Sequence, residues 1–408
     1  LVEMNGLEVE IVRRGRYKSA GDIFRLESLD ESNREQHQAI LEATMRSFKD
    51  AVRSGFSKSE SEVEELLGGR VLTAEEAVEA KWMTRSATKS NLVEEWRKAK
   101  AREESLRKVK IRFGKGTKVA VLVFEGAIVD GKSRRDPALG QSIGSDSFLP
   151  EIERLKKNKS IKGVVLRVSS GGGSALASEE IAEGLSELAE KKPLVVSMGG
   201  VAGSGGYWIA LPGERIFAEP DTITGSIGVI SMLFSARETL KRHGITESTV
   251  KIGELADLGS PFKSLTERER SVIEEDVDRL YRVFLAKVAE ARESSPEAVH
   301  RVGEGRIWSG DDAKQAGLVD ETGGVDSALE FLRKKLKAKR IAVRFYPIVK
   351  YSLVQRFIMR NAAAVDVGMN RILAFLGSLT PATGVFGSFL LESQGKPLAI
   401  MEEFAHYR

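Results

Sequence analysis

Cysteine is absent from all 408 residues. Disulfides, thiolate metal sites and a cysteine nucleophile are therefore excluded, whatever the compartment. Histidine is almost as scarce, with four residues at 37, 243, 300 and 406 and no paired ligand spacing among them. A histidine metal site is not expected, and no residue pattern asks for a cofactor. No apolar run reaches the length of a membrane span, and no signal peptide is visible. Charge of one sign is lacking too: 63 Lys and Arg stand against 59 Asp and Glu, for a net charge of +4. That excess is small for the length, so nucleic acid is not an expected partner. What remains is ordinary for a soluble globular chain, 41% hydrophobic and 30% charged, with a length that favours two or three domains.

The chain repeats itself. GRVLTAEEAVEAKWM (69–83) resembles GRIWSGDDAKQAGLV (305–319), an offset of 236 from 305 minus 69. Upstream, Gly6, Gly15 and Phe24 correspond to Gly244, Gly253 and Phe262 at an offset of 238. Between these anchors each copy carries a charged helical stretch, Leu29–Ser54 and Leu265–Ser294. The second copy begins near Lys118, so the first is expected to begin about 120 residues before Leu1. The start at Leu1, inside the patterned segment LVEMNGLEVEIV, accordingly reads as a cut end. The expected division is residues 1–88, the C-terminal half of a first repeat; 89–117, a basic helical linker that includes Asn91–Lys110; 118–337, a complete second repeat; and 338–408, a tail of mixed apolar and Gly segments.

Within the second copy, Lys118–Glu125, Ile161–Val168 and Leu194–Met198 are apolar runs of strand length, with a helical pattern over Ala175–Lys191. Continuous apolar strands separated by helices predict an α/β fold with a largely parallel sheet covered on both faces.

Three Gly-rich segments follow strands in this copy. Ser169–Ser174 (SSGGGS) is expected to be a tight turn opening a helix, with N–H groups facing a ligand; it lacks the Lys-Ser/Thr ending of a phosphate loop. Gly199–Ala210 (GGVAGSGGYWIA) places Ser204 between glycines just after a strand, like an exposed nucleophile, with the Gly205 N–H able to stabilise an oxyanion. Asp221–Val229 (DTITGSIGV) is a third turn, centred on Ser226. Two other motifs count for less. Gly140–Gly144 (GQSIG) matches G-x-S-x-G around Ser142, but no strand is expected before it and no helix clearly after it. Ser86–Lys89 (SATK) matches S-x-x-K without companion motifs.

Taken together, GGVAGSGGYWIA, TGSIGV and SSGGGSALASEE resemble the signal peptide peptidase A family, peptidase family S49, in its long form with two tandem domains. The resemblance extends over nearly all of residues 1–337. It implies that Ser204 is the nucleophile and that the base is Lys18, in the segment GRYKSA (15–20). It further implies that Ser226 hydrogen-bonds the lysine and that Gly205, with Gly172 or Gly173, holds the oxyanion. One departure stands out: Gly171 occupies the place where related sequences usually carry Pro before the paired glycines. The repeat itself adds an argument, because the second copy has Ala256 at the position of Lys18. For the chemistry Lys18 must be neutral, so burial has to lower its titration from the free value of about 10.4.

The resemblance also implies the Clp protease/crotonase-like fold and assembly into a homo-oligomeric ring, a tetramer being the expectation. The implied substrates are residual signal peptides and other extended apolar peptides, bound along a strand edge. The implied location is the bacterial inner membrane, with the site outside the cytoplasm and an anchor upstream of Leu1. Two other readings fit the same glycines: an acyl-CoA hydratase or isomerase of the crotonase superfamily, and a non-catalytic assembly subunit.

Overall fold

The computed structural model describes residues 6–99, 115–136, 140–347 and 398–400. It divides into two units, one comprising Leu1–Ile40 with Lys115–Arg408, the other Leu41–Gly114.

The strands in chain order begin with β1 (Glu8–Arg14), β2 (Thr117–Glu125), β3 (Ala127–Val129), β4 (Arg135–Asp136) and β5 (Gly140–Gly144). Next come β6 (Gly163–Ser170), β7 (Gly172–Ser174), β8 (Leu194–Gly203), β9 (Ile216–Ala218) and β10 (Ile223–Gly225). The last are β11 (Val229–Ser235), β12 (Ile307–Trp308), β13 (Glu321–Thr322), β14 (Ile341–Tyr346) and β15 (Leu398–Ile400). The helices are α1 (Glu31–Phe56), α2 (Glu60–Leu67), α3 (Ala74–Glu79), α4 (Lys89–Lys98), α5 (Ser145–Lys157) and α6 (Ala175–Ala189). They continue with α7 (Gly205–Trp208), α8 (Arg237–Arg242), α9 (Glu267–Ala291), α10 (Pro296–Val302), α11 (Gly310–Gln315) and α12 (Val325–Lys335).

The larger unit is built on a sheet of order β12-β10-β8-β6-β2-β14. All neighbours in it are parallel except β12, which runs antiparallel to β10. The apolar run of β6 is buried on both sides. Val164, Leu166 and Val168 face a core shared with α5, α6 and α9, while Val165 faces Val121, Val195 and the α12 residues Ala328 and Leu332. Helices therefore cover both faces, as continuous apolar strands require. The first residues of the expected tail are part of this sheet, since β14 pairs with β2 in parallel register; the rest of 338–408, apart from β15, lies outside the described residues.

A second sheet has the order β1-β11-β15-β7-β3-β5-β4. Here β1 runs antiparallel to β11 over seven pairs, from Glu8 opposite Ser235 to Arg14 opposite Val229. Alternation along β1 packs Val9 and Ile11 on Ile230, Met232 and Phe234, and turns Val12 into the main core. Arg14 locks the strand's end to Asp278 of α9 through two hydrogen bonds.

Three local expectations change. SSGGGS is not a simple turn, because Gly172–Ser174 form the strand β7 between β3 and β15. GQSIG is itself the strand β5, and α5 does follow it; Ser142 sits within the strand, its Oγ donating to the Arg134 carbonyl, so it occupies no elbow. Of Asn91–Lys110, the described part ends α4, which begins earlier, at Lys89, behind the capping hydroxyl of Thr88.

The helix starts of two segments keep a constant offset. α1, α2 and α3 start at 31, 60 and 74, and α9, α10 and α11 at 267, 296 and 310, each later by 236 (267 minus 31). Their N-caps match as well: Ser59 and Ser295 for one pair, Thr73 and Ser309 for the next.

Candidate active site

The site forms where β8 gives way to α7. Ser204 is the junction residue, and its backbone sits at φ 54° and ψ −119°, a conformation few non-Gly residues adopt and one found at strained functional turns. The surroundings hold it there. Its N–H donates to the Gly225 carbonyl of β10 at 2.8 Å, and its carbonyl accepts from Trp208 N–H at 2.9 Å. The short helix behind it is anchored by two aromatics: Trp208 stacks on Phe284 of α9 at 4.4 Å between ring centroids, and Tyr207 donates its hydroxyl proton to the Leu318 carbonyl at 2.7 Å. Gly205 opens that helix, where the first-turn N–H groups have no intrahelical partner. A side chain there would meet Ser178 Oγ at 2.5 Å and the Gly172 Cα at 3.2 Å.

Ser226 directly follows the neighbouring strand β10, also at positive φ, 51°, with its N–H donated to the Arg306 carbonyl at 2.7 Å. Lys18 comes from the other end of the sequence. It lies four residues beyond β1, which β11 carries past the end of β10. Its amine Nζ lies 2.8 Å from Ser204 Oγ, 3.0 Å from Ser226 Oγ and 3.0 Å from the Ser226 carbonyl oxygen. Lys18 and Ser204 are 186 residues apart in sequence. Both are buried, Lys18 to 1% exposure. Ser204 is thus less open than its sequence setting suggested, since the lysine amine meets its hydroxyl and the β10 carbonyl takes its N–H.

Burial pushes the Lys18 amine well below its ordinary range, and no carboxylate offsets the desolvation. A neutral amine has two N–H bonds and one lone pair. With the two donors on the Ser226 oxygens, the lone pair is left for the Ser204 proton, which is the arrangement a general base needs. The Lys18 backbone is clamped as well. Arg13 Nη1 donates to its carbonyl at 2.7 Å and also to Asp22 Oδ2 at 2.9 Å, while Asn33 Nδ2 donates to the same carboxylate oxygen at 2.9 Å. Gly305, at φ +79°, lies so close that an added Cβ would stand 2.7 Å from the Lys18 Cβ.

The glycines expected to hold an oxyanion are near. Gly172 touches Gly205, but its N–H is donated to Ser170 Oγ at 3.1 Å. Gly173 is paired with Ile128 of β3 and Ala399 of β15. Ser142, Ser86 and Lys89 take no part in this cluster. Sequence reasoning missed Arg13 of β1 and Asp22, and it missed Asn33 and Gln36 of α1, whose signal was a pair of polar residues on the buried side of an otherwise charged helix. Among the described residues, no group of His, Asp and Glu could hold a metal ion.

A lysine amine on a serine hydroxyl, at a strained strand-to-helix turn, is the constellation of Ser–Lys hydrolases. Comparison with known proteins points to a peptidase family. The profile of peptidase family S49 matches residues 1–103 and 186–339, and the chain belongs to this family. Protease 4 of Salmonella typhi is 37% identical over 232 residues, 57% of this chain and 37% of that one. Serine protease SPPA, chloroplastic, of Arabidopsis thaliana is 29% identical over 400 residues, 94% of this chain and 59% of that protein. Protease 4 of Haemophilus influenzae is 38% identical over 213 residues, 52% of this chain and 34% of the relative. The chain therefore spans between a third and three fifths of the length of these relatives.

Proposed function

We propose that this chain is the catalytic portion of a serine endopeptidase in which Ser204 is the nucleophile and Lys18 the general base. The observation that carries the reading is the 2.8 Å contact between Lys18 Nζ and Ser204 Oγ inside a buried site without a carboxylate. Neutral Lys18 takes the Ser204 proton as Oγ attacks the peptide carbonyl carbon. The ammonium then returns that proton to the leaving amine as the C–N bond breaks. Water, deprotonated by the same amine, hydrolyses the acyl ester and frees Ser204. Ser226 steers the amine with its hydroxyl and carbonyl. The Gly205 N–H holds the developing oxyanion together with a backbone N–H of Gly173, or of Gly172 once it leaves Ser170 Oγ.

The substrates are extended apolar peptides, residual signal peptides among them. Strand addition supports this: the slot between β7 and β11 accepts an extended segment, Leu398–Ile400, antiparallel to both. That slot is flanked by the Gly172–Gly173 backbone on one side and by the strand that follows Ser226 on the other. The acyl-CoA reading gives no role to the Lys18–Ser204 contact.

The same proposal includes the tandem Clp/crotonase-like architecture, with residues 1–88 and 118–337 as copies joined by 89–117. The shared helix register supports it, as does Lys18 on one copy opposite Ser204 on the other. A homo-oligomeric ring at the bacterial envelope, anchored in the membrane, goes with the resemblance; among the described residues no helix is long and apolar enough to cross a membrane. The test is labelling by a fluorophosphonate probe together with cleavage of an apolar peptide. Ser204→Ala should lose both, and Lys18→Ala should lose cleavage and nearly all labelling. Full peptide cleavage by either folded variant would overturn the dyad.

A further inference from the structure

Gln36 lies on α1, in a helix whose sequence reads as a charged, solvated stretch, yet it is only 1% exposed. Every polar atom of its side chain is engaged. Its two Nε2 protons are shared among the Tyr17 carbonyl at 3.0 Å, Ser19 Oγ at 3.3 Å and Asn33 Oδ1 at 2.8 Å. Those contacts bracket Lys18 on both sides in sequence. Its Oε1 accepts from Ile307 N–H at 3.2 Å. Ile307 is the register partner of Gly225, whose carbonyl holds the Ser204 N–H, and the adjacent Arg306 carbonyl holds the Ser226 N–H.

One amide thus grips the Tyr17 carbonyl and the Ser19 hydroxyl, on either side of the lysine, with its donors and the strand that seats both serines with its acceptor. We propose that Gln36 is a positioning residue that sets the approach of Lys18 to Ser204 by tying the lysine-bearing segment to β12. The inference rests on the Ser–Lys reading above. The repeat gives it independent support: at the offset of the helices, position 36 corresponds to Val272 (36 plus 236), as Lys18 corresponds to Ala256. The copies differ at the base and also at the residue that would place the base.

The physical cost of losing the clamp is specific. A buried amide linking two segments has no apolar equivalent, because removing it leaves the Tyr17 carbonyl and the Ile307 N–H without this partner. The segment then shifts, Nζ withdraws from Ser204, and water reaches the amine. Charged groups around the segment are Arg13 and Asp22 on the β1 side, Arg16 beside Tyr17, Glu35 on α1, and Glu304 and Arg306 before β12. The amine's own partners are only Ser204 and Ser226 among the described residues. Relocation toward water, rather than a new ion pair, would therefore move its titration.

The experiment compares wild type, Gln36→Met and Gln36→Asn, measuring the rate of fluorophosphonate labelling at Ser204 and of peptide cleavage across pH, with Tm alongside. Gln36→Met keeps the side-chain length and removes both polar ends. Gln36→Asn keeps the amide but is one methylene too short to span the gap, which guards against a folding failure. We expect both variants to move the pH midpoint of labelling upward by about half a unit or more. The rate at neutral pH should fall roughly 10- to 100-fold, with KM little changed. A residue that merely stabilises the fold would lower Tm and the fraction of sites labelled while leaving the midpoint where it is. That result overturns the inference. If wild type shows no Lys18-dependent labelling, the dyad itself fails; if wild type labels and the variants keep its midpoint, only the role of Gln36 fails.

Discussion

Lys18 is the residue on which the site places the greatest strain. A free lysine binds its proton up to about pH 10.4, whereas this one is buried with hydroxyls and a carbonyl as its partners. Its titration in the folded protein is lowered, so between the folded and unfolded values the unfolded chain binds more protons. Stability then rises with pH through that window and is reduced below it. Each pH unit of the window is worth about 1.4 kcal/mol. Two outcomes follow. The rate of Ser204 acylation should rise with pH through the lowered titration of the amine and then level off; a flat profile would count against a lysine base. Lys18→Met should be inactive and yet more stable than wild type near neutral pH, with the gap closing as pH approaches about 10.4. Thermal melts of the two proteins across pH check the sign: a Met variant that is less stable at pH 7 would mean that the amine is not held neutral by burial.

Among the elements, α7 and β7 turn a serine in a loop into a site. Their approach is so close that Gly205 has no room for a methyl group between Ser178 and Gly172. Gly205→Ala should therefore cut kcat roughly 100-fold by displacing the Ser204 turn, and cost about 1–3 kcal/mol through overpacking. Adding Ser178→Ala, which removes the nearest atom, should restore part of the activity. Much at this scale was legible in the sequence. The apolar runs became β2, β6 and β8, with β8 running on to Gly203, five residues past the expected Met198 (203 minus 198), because strands buried on both faces carry few polar positions to blur the pattern. The Ser204, Ser226 and Lys18 segments were legible as motifs. The strand β7 was not, because Gly-Gly-Ser has no strand propensity and is held by its neighbours β3 and β15 alone. Nor was the role of Gln36. A polar residue on a helix reads as solvated until the backbone it binds is known, and Ile307 lies 271 residues away.

For the whole molecule, the proposed repeat sets two segments side by side for comparison. Val12 on β1 is 4% exposed, because its side chain packs into the main core. Its counterpart in the second copy is Val250 (12 plus 238), which is 99% exposed, as is Ile252. The segment around them has the repeat position of a strand but no ladder: residues 246–250 are irregular and 252 lies in a bend. Two nearly bare β-branched residues in such a segment lie where the proposed first copy has its strand, and unpaired extended backbone is a template for another chain. Under the ring proposal, what covers them is a strand from a further copy of the protein, standing to 246–252 as β11 stands to β1. Such an interface is head-to-tail, the type that a ring requires and a two-fold dimer does not use. Val250→Asp with Ile252→Asp should then lower the mass of the assembled full-length protein, read by light scattering, while the Lys18–Ser204 contact and probe labelling of the dissociated form persist. The contrasting variant is Val12→Asp, which strikes the internal counterpart of that interface. It should abolish labelling, because β1 carries Lys18 to Ser204. An unchanged mass for the Val250/Ile252 variant would show that these side chains take no part in assembly.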